Sequence, residues 1–315
     1  MKRDQLISLY EDAVKTSHGY EDMNAYVARR EAVYRKYCIG KTPSEQATVW
    51  LKLLSDDFGR NVANLGCYLA LRENDMSLLE RALASASSWG QLTMSDGGCD
   101  HSIYAWTVLP LVLGACRFDD IDRMIPAQNG LSENGLSSSR VIVNLVMLLH
   151  YRESSWEDSA VKAAESLLKT RCTIEEKAVT SCLLALVRED WNTFSISLDQ
   201  VSAAKRKSRE YGESGFTRQV SFMAIGLHNY ARHLYGNDVP VPSNLRDDLV
   251  FGGYTSYLDH VDNRKNAVFH TFEGPLELLN LLESMDRPAM HLTEGPKRAL
   301  DISRYRSEIL DRLRS

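Results

Sequence analysis

The chain repeats a phrase. Cys67-Tyr68-Leu69-Ala70-Leu71 runs into Asp75 and then Met76, Leu78 and Leu79, and Cys182-Leu183-Leu184-Ala185-Leu186 runs into Asp190 and then Trp191, Phe194 and Leu198. A looser third copy reads Leu113-Gly114-Ala115-Cys116, then Asp119, Ile121 and Met124. Leucine and alanine are strong helix formers. The apolar positions after the aspartates recur at helical spacing, which marks one buried stripe. An aspartate between two stripes suits the cap of the second helix, because its carboxylate accepts from first-turn N–H groups and lies at the positive end of the dipole. Each copy is therefore predicted to be a helix–turn–helix unit. Neither helix can bury its stripe alone, so such units pack on neighbours and build binding surfaces more often than catalytic pockets.

The composition agrees with helix throughout: 44% of residues are hydrophobic, and only 8 prolines and 18 glycines interrupt 315 residues. The expected fold class is all-α, with antiparallel helix hairpins packed as a helical-repeat-like bundle or a short solenoid. Residues 1–315 are expected to form a single α-helical domain. Within it, 126–139 is expected to be a flexible internal loop between two helical halves, since two Asn-Gly pairs and four serines make a long turn-rich stretch. Local signals add detail. Thr42, Pro43 and Glu45 spell a capping box with proline at the first helical position. Pro110 should kink or restart the apolar helix that begins near Ile103. Val239 to Pro242 should be extended, a short strand is expected near Ala267–Phe272, and a last helix over Ala299–Leu313.

The formal net charge of −5 disfavours a nucleic-acid binder, which needs a basic stripe. Arg29, Arg30, Arg35 and Lys36 do interleave with tyrosines, but Glu21, Asp22 and Glu31 offset them. The most apolar run, Val141 to Leu149, is too short to span a membrane and contains Asn144. No apolar signal core follows Met1-Lys2-Arg3, so a cytoplasmic protein is expected. The six cysteines stand alone, without paired spacing.

Chemistry-bearing patterns are sparse. His228 and His233 are five apart, whereas a helical metal pair needs four. Asp119-Asp120-Ile121-Asp122 lacks the spacing of a magnesium-binding motif. Cys99 and His101 lie near each other in sequence, but cysteine catalysis needs the two groups facing each other, usually from distant segments. No glycine loop of phosphate-binding type occurs. The expectation is a non-catalytic protein with no metal and no cofactor. The enzyme alternative would require Cys99, His101 and a carboxylate to converge in a pocket.

Between Lys177 and Asp248 the chain carries a helix junction of Ala185, Leu186, Arg188, Asp190 and Trp191. A helix with Ala224, Gly226 and Ala231 follows, then the segment Val239 to Pro242. This stretch resembles α-helical immunity proteins that accompany bacterial polymorphic toxins. The resemblance implies an all-helical antidote that binds a cognate toxin domain tightly, without catalysis of its own. No family site residue carries over. From charge alone, Asp119, Asp120, Asp122 and Glu133 are the expected partner-binding positions, suited to steering a basic partner. The alternative is a helical-repeat scaffold or regulator that binds peptides or partner proteins on a concave face.

Overall fold

The computed structural model describes residues 1–16, 19–53, 59–94, 98–208, 214–261 and 268–314. Among them the helices follow one another as α1 (Arg3–Thr16), α2 (Met23–Tyr37), α3 (Pro43–Leu53), α4 (Gly59–Glu73), α5 (Ser77–Leu92), α6 (Tyr104–Thr107), α7 (Leu109–Gly114) and α8 (Ile121–Met124). Then come α9 (Ser137–Tyr151), α10 (Ser154–Lys169), α11 (Ile174–Val187), α12 (Trp191–Arg206), α13 (Phe222–Tyr235), α14 (Ser243–Arg246), α15 (Phe251–Leu258), α16 (Glu277–Ser284) and α17 (Ile302–Arg312). The fold is all-α. Among the described residues the only β pairing is one isolated antiparallel bridge, Leu292 with Leu300. Of the expected strand, 268–272 is not extended into a ladder, and Ala267 lies outside the described residues.

Both full copies of the repeated phrase are helix hairpins, α4 on α5 and α11 on α12. Their turns share one backbone geometry. Asn74 and Glu189 adopt left-handed backbone, φ 59° and 53°, which lets the next amide reach back five residues. Asp75 N donates to the Ala70 carbonyl at 3.0 Å, and Asp190 N to the Ala185 carbonyl at 2.9 Å. Asp190 then caps α12 by accepting from Thr193 N at 3.0 Å, while Asp75 accepts from Ser77 N at 3.0 Å. The looser third copy makes the same turn, with Cys116 at φ 55° and Arg117 N donating to the Val112 carbonyl at 3.0 Å. Its second helix, α8, is one turn long, so no hairpin returns along α7. The helix that packs on α7 is α13, from the other half of the chain.

Close approach excludes a side chain at Gly66 and at Gly226, among other positions. A Cβ on Gly66 would sit 2.0 Å from the Ala82 Cβ across the α4–α5 crossing. A Cβ on Gly226 of α13 would lie 2.8 Å from the Leu113 Cβ and 3.1 Å from the Pro110 carbonyl oxygen. The carbonyl end of α7 is then closed from outside: Asn229 Nδ2 and the Tyr254 hydroxyl each donate to Gly114 O at 3.1 Å. Pro110 begins α7 after a break at Val108, where its missing N–H leaves nothing unsatisfied. The Thr42 capping box forms as expected, with Glu45 accepting from Thr42 N at 2.8 Å.

The centre of the molecule is α9, whose residues Val141 to Leu149 are all buried. A helix apolar on every side demands neighbours on every side, and α6, α10 and α11 supply them. The C-terminal segment docks on α5 through polar contacts. Arg287, buried after α16, donates to the carbonyls of Leu282 and Glu283 at 2.8 and 2.9 Å and so caps that helix. The Trp89 indole of α5 donates to Glu283 at 3.0 Å. Burial pushes the Glu283 carboxyl above its ordinary range, and the indole and nearby guanidinium groups only partly offset this.

Gly66→Ala is expected to lower stability by about 1–3 kcal/mol through overpacking. Adding Ala82→Gly removes the overlap and should restore most of the loss in the urea midpoint.

Candidate functional site

The turn-rich stretch expected to be a flexible connector is folded against the core. Asp100 is the reason. Its buried carboxylate accepts from Ser102 N at 2.9 Å, Ser132 Oγ at 2.7 Å, Glu133 N at 2.8 Å and Asn134 N at 2.8 Å. Burial alone would raise this carboxyl, but the donors outweigh it and hold it below the ordinary aspartate value. Asn144, the one polar residue in the apolar run of α9, completes the clamp. It accepts from Ser132 N at 2.7 Å and donates to Ser132 O at 3.1 Å. Asn129 is buried as well and donates to the Met290 carbonyl at 3.0 Å. Helix α9 starts at Ser137, inside the stretch that sequence reading assigned to a loop.

This anchored stretch forms one wall of a cleft of about 1060 Å³. The other walls are the α10 face carrying Ser159, Ala163 and Ser166, and the α10–α11 turn. The Thr173 capping box fixes the start of α11: Thr173 N donates to Glu176 at 2.7 Å, and Glu176 N donates back to Thr173 at 3.1 Å. Ser138 of α9 also donates to Glu176, which joins the two helix starts across the floor. Seven serines and threonines line it together with Arg140 and Arg171. Leu136, which lines the cleft, is 74% exposed, and Ile174, next in sequence to the lining residue Thr173, is 69% exposed. They are the two most exposed large apolar side chains among the described residues.

The four acidic residues expected to bind a partner separate into three environments. Glu133 is exposed and lines the cleft. Asp119 and Asp122 are exposed at the opposite end of α9, where Asp122 meets His150 at 3.2 Å. His150 and Ser138 are about 18 Å apart along the helix axis. Asp120 is only 2% exposed and turns inward. It pairs with Arg117 at 2.8 Å and Arg123 at 3.3 Å, and accepts from Gln91 of α5 at 2.8 Å. Its carboxylate holds the 117–124 segment on α5 and is not available to a partner. Alternation along a short turn sets this split, which a run of like letters does not display. The residues that sequence reading missed, Leu136 and Ile174, each stand immediately before or at a helix start. An apolar residue there with no partner in the first turn is the signal that was available.

Cys99 and His101 do not form a dyad. The His101 ring is buried, and neither nitrogen has a hydrogen-bond partner among the described residues. His228 is in the same situation on α13, packed against the Phe251 ring at a centroid distance of 5.4 Å. Burial lowers both imidazoles to about 4; Arg298 adds to the effect at His101, and Arg232 at His228. His233 points elsewhere and stacks on Phe118 at 4.1 Å, as five-residue spacing requires. Among the described residues no group of three His, Cys, Asp or Glu side chains is placed to hold a metal ion. No helix among them is long and apolar enough to cross a membrane.

No known protein family, no curated protein and no solved structure matches the chain.

Two outcomes follow from these buried groups. Asp100→Ala strands three amides and a hydroxyl; stability should fall by about 3 kcal/mol or more, and amide exchange at Glu133 and Asn134 should accelerate. The two imidazoles set a pH window. Their folded values lie below the unfolded 6.5, so their contribution is complete above pH 6.5 and is lost as pH falls toward 4. The loss should approach about 3 kcal/mol for each ring. Urea titrations of the native chain and of His228→Phe across that window should show a shallower decline in the variant.

Proposed function

We propose that this chain is a non-catalytic binding protein that neutralises a cognate bacterial toxin domain by docking it on the cleft between α9, α10 and α11. The observation that carries the reading is the pairing of that cleft with the exposed Leu136 in its lining and the exposed Ile174, which follows the lining residue Thr173 in the chain. Large apolar side chains held in water at a concave surface gain about 1.5–3 kcal/mol each when a partner covers them. They are the type of group on which interfaces concentrate their binding energy. The surrounding hydroxyls and the Arg140 and Arg171 guanidinium groups supply the polar rim that gives register. The helix-junction resemblance to immunity proteins supports the choice of a toxin as the partner.

The acidic positions have a secondary role in this reading. Glu133 lies within the footprint. Asp119 and Asp122 lie beyond the far end of α9, where charge acts on the encounter rate rather than on the docked complex. An interface of about 1,200–2,000 Å² reaches from the cleft along part of the α9 flank but need not include them.

Co-expression with the toxin-like protein encoded beside its gene tests the proposal. The native chain should restore growth, and Leu136→Asp combined with Ile174→Asp should abolish rescue and weaken binding by about a hundredfold or more. Asp119→Lys with Asp122→Lys should slow association and spare rescue. Full rescue by the cleft variant would overturn the docking face. Absence of any such gene, with several unrelated peptides captured on the same face, would favour a scaffold.

A further inference from the structure

The hydrogen-bonding groups around the cleft between α9, α10 and α11 are unequally spent. Its buried acceptors are taken from within. Asp100, behind the wall, receives four donors, and the Asn144 side-chain carbonyl receives Ser132 N. Glu176 on the floor accepts from Thr173 N at 2.7 Å and from the Ser138 hydroxyl. Glu133 is the remaining carboxylate of the lining. It is exposed, and it also lines a separate pocket of about 210 Å³ together with Lys297 and Arg298.

The donors of the lining are different. Arg140, in the first turn of α9, gives Nη1 to the Glu133 carbonyl at 2.9 Å and Nη2 to the Ser137 hydroxyl at 3.5 Å. Both acceptors are neutral oxygens, and its Nε is enclosed without an acceptor. Arg171, exposed in the α10–α11 turn, makes no hydrogen bond and no ion pair with any described residue. Neither guanidinium therefore meets a carboxylate among the described residues. Elsewhere in the fold Arg117, Arg123, Arg188, Arg206 and Arg232 each pair with one. The Ser159 and Ser166 hydroxyls are exposed on the α10 wall. A concave surface with two unpaired guanidinium groups and free hydroxyls, whose buried acceptors are engaged, complements a group that only accepts and carries negative charge.

We propose that the segment of the partner that enters this cleft carries a carboxylate side chain, an aspartate or a glutamate, held by Arg140 and Arg171 with an apolar neighbour against Leu136. The inference rests on the cleft being the docking face and names the group that is read there. Arg140 belongs to the wall that Asp100 anchors and Arg171 to the α10–α11 turn, so the charge is met from two elements. An amide of the same shape loses the electrostatic part. An ammonium group leaves both guanidinium groups unpaired and adds repulsion. A carboxylate here is compatible with a partner whose remaining surface is basic, since the arginines act in contact and Asp119 and Asp122 act on the approach.

The test uses the full chain and three probes that differ at one side chain: acetyl-Leu-Glu-Leu-amide and the same peptide with glutamine or lysine at its centre. Chemical-shift titration by NMR at neutral pH and low salt should show the glutamate peptide bound, the glutamine peptide weaker by about tenfold and the lysine peptide not bound. Arg171→Glu is the deciding variant, because an exposed side chain without contacts can be reversed in charge without loss of the fold. The preference should invert, with the lysine peptide bound more tightly than the glutamate peptide. Arg140→Lys keeps the charge without the fork and should weaken the glutamate peptide severalfold. Equal affinity for the glutamate and glutamine peptides, an unchanged preference in Arg171→Glu, or no binding of the glutamate peptide at millimolar concentration would overturn the anchor. Tighter binding of inorganic phosphate than of the glutamate peptide would assign the arginines to a free anion and overturn it as well. Co-expression separates the anchor from the docking face. Rescue lost in Leu136→Asp with Ile174→Asp but kept in Arg171→Glu leaves the face and removes the anchor, whereas rescue kept in both removes the two together.

Discussion

A carboxylate buried at Asp100 accepts four hydrogen bonds, three of them from a segment more than thirty residues further along the chain. Through them the 131–134 segment is drawn onto the core, and with it the entry to α9. That helix is apolar on every side and organises its neighbours, so an error in where it starts would propagate to α6, α10 and α11. The same contact shapes the cleft, because its wall is the anchored segment itself. One charge thus links packing at the centre to the surface on which a partner is proposed to dock. The arrangement is stable because every acceptor site of the carboxylate meets a donor. A buried charge without such partners would be destabilising by several kcal/mol.

A second polar hub sits at Asp120. Two arginines and Gln91 surround it, and Arg123 continues to Asp286 at 2.5 Å, which Arg312 of α17 also approaches at 3.3 Å. This chain of alternating charges joins α5, the α8 region and the C-terminal helices. It also explains why the third copy of the repeated phrase does not become a hairpin. Its turn forms, but the residues that follow are pulled onto α5 by the Asp120 pairs, and α13 takes the vacant side of α7. Gly226 permits that substitution by letting two backbones approach where a side chain would collide.

Much of the local structure was legible in the sequence. The Thr42 and Asp190 caps, the break at Pro110 and the two full hairpins all depend on residues within about six positions of one another. Local hydrogen bonds and helix propensity act over that range. The left-handed turn residue escaped notice, because Asn74, Cys116 and Glu189 share no side-chain chemistry, only a place at the end of a helix. Residues 126–139 show the opposite case. Glycine, asparagine and serine mark turns correctly, but whether a turn is loose or pinned depends on an acceptor elsewhere in the chain. The acid cluster at 119–122 shows the same limit: letters that look equivalent in sequence point into the core at Asp120 and into water on either side of it.

The all-α class, the positions of most helices and the two hairpins are written into short segments, because apolar period, capping and turn chemistry act locally. Which helices became neighbours was settled by packing across the whole chain. Packing also decided that Asp100 would hold a distant loop, that Asp120 would turn inward, and that Leu136 would be left in water in the wall of a cleft. These features join residues separated by tens of positions. They exist only once burial has selected one packing among the many that the same amphipathic helices permit, and selection at that level depends on shape, close backbone approach and paired charge rather than on local pattern.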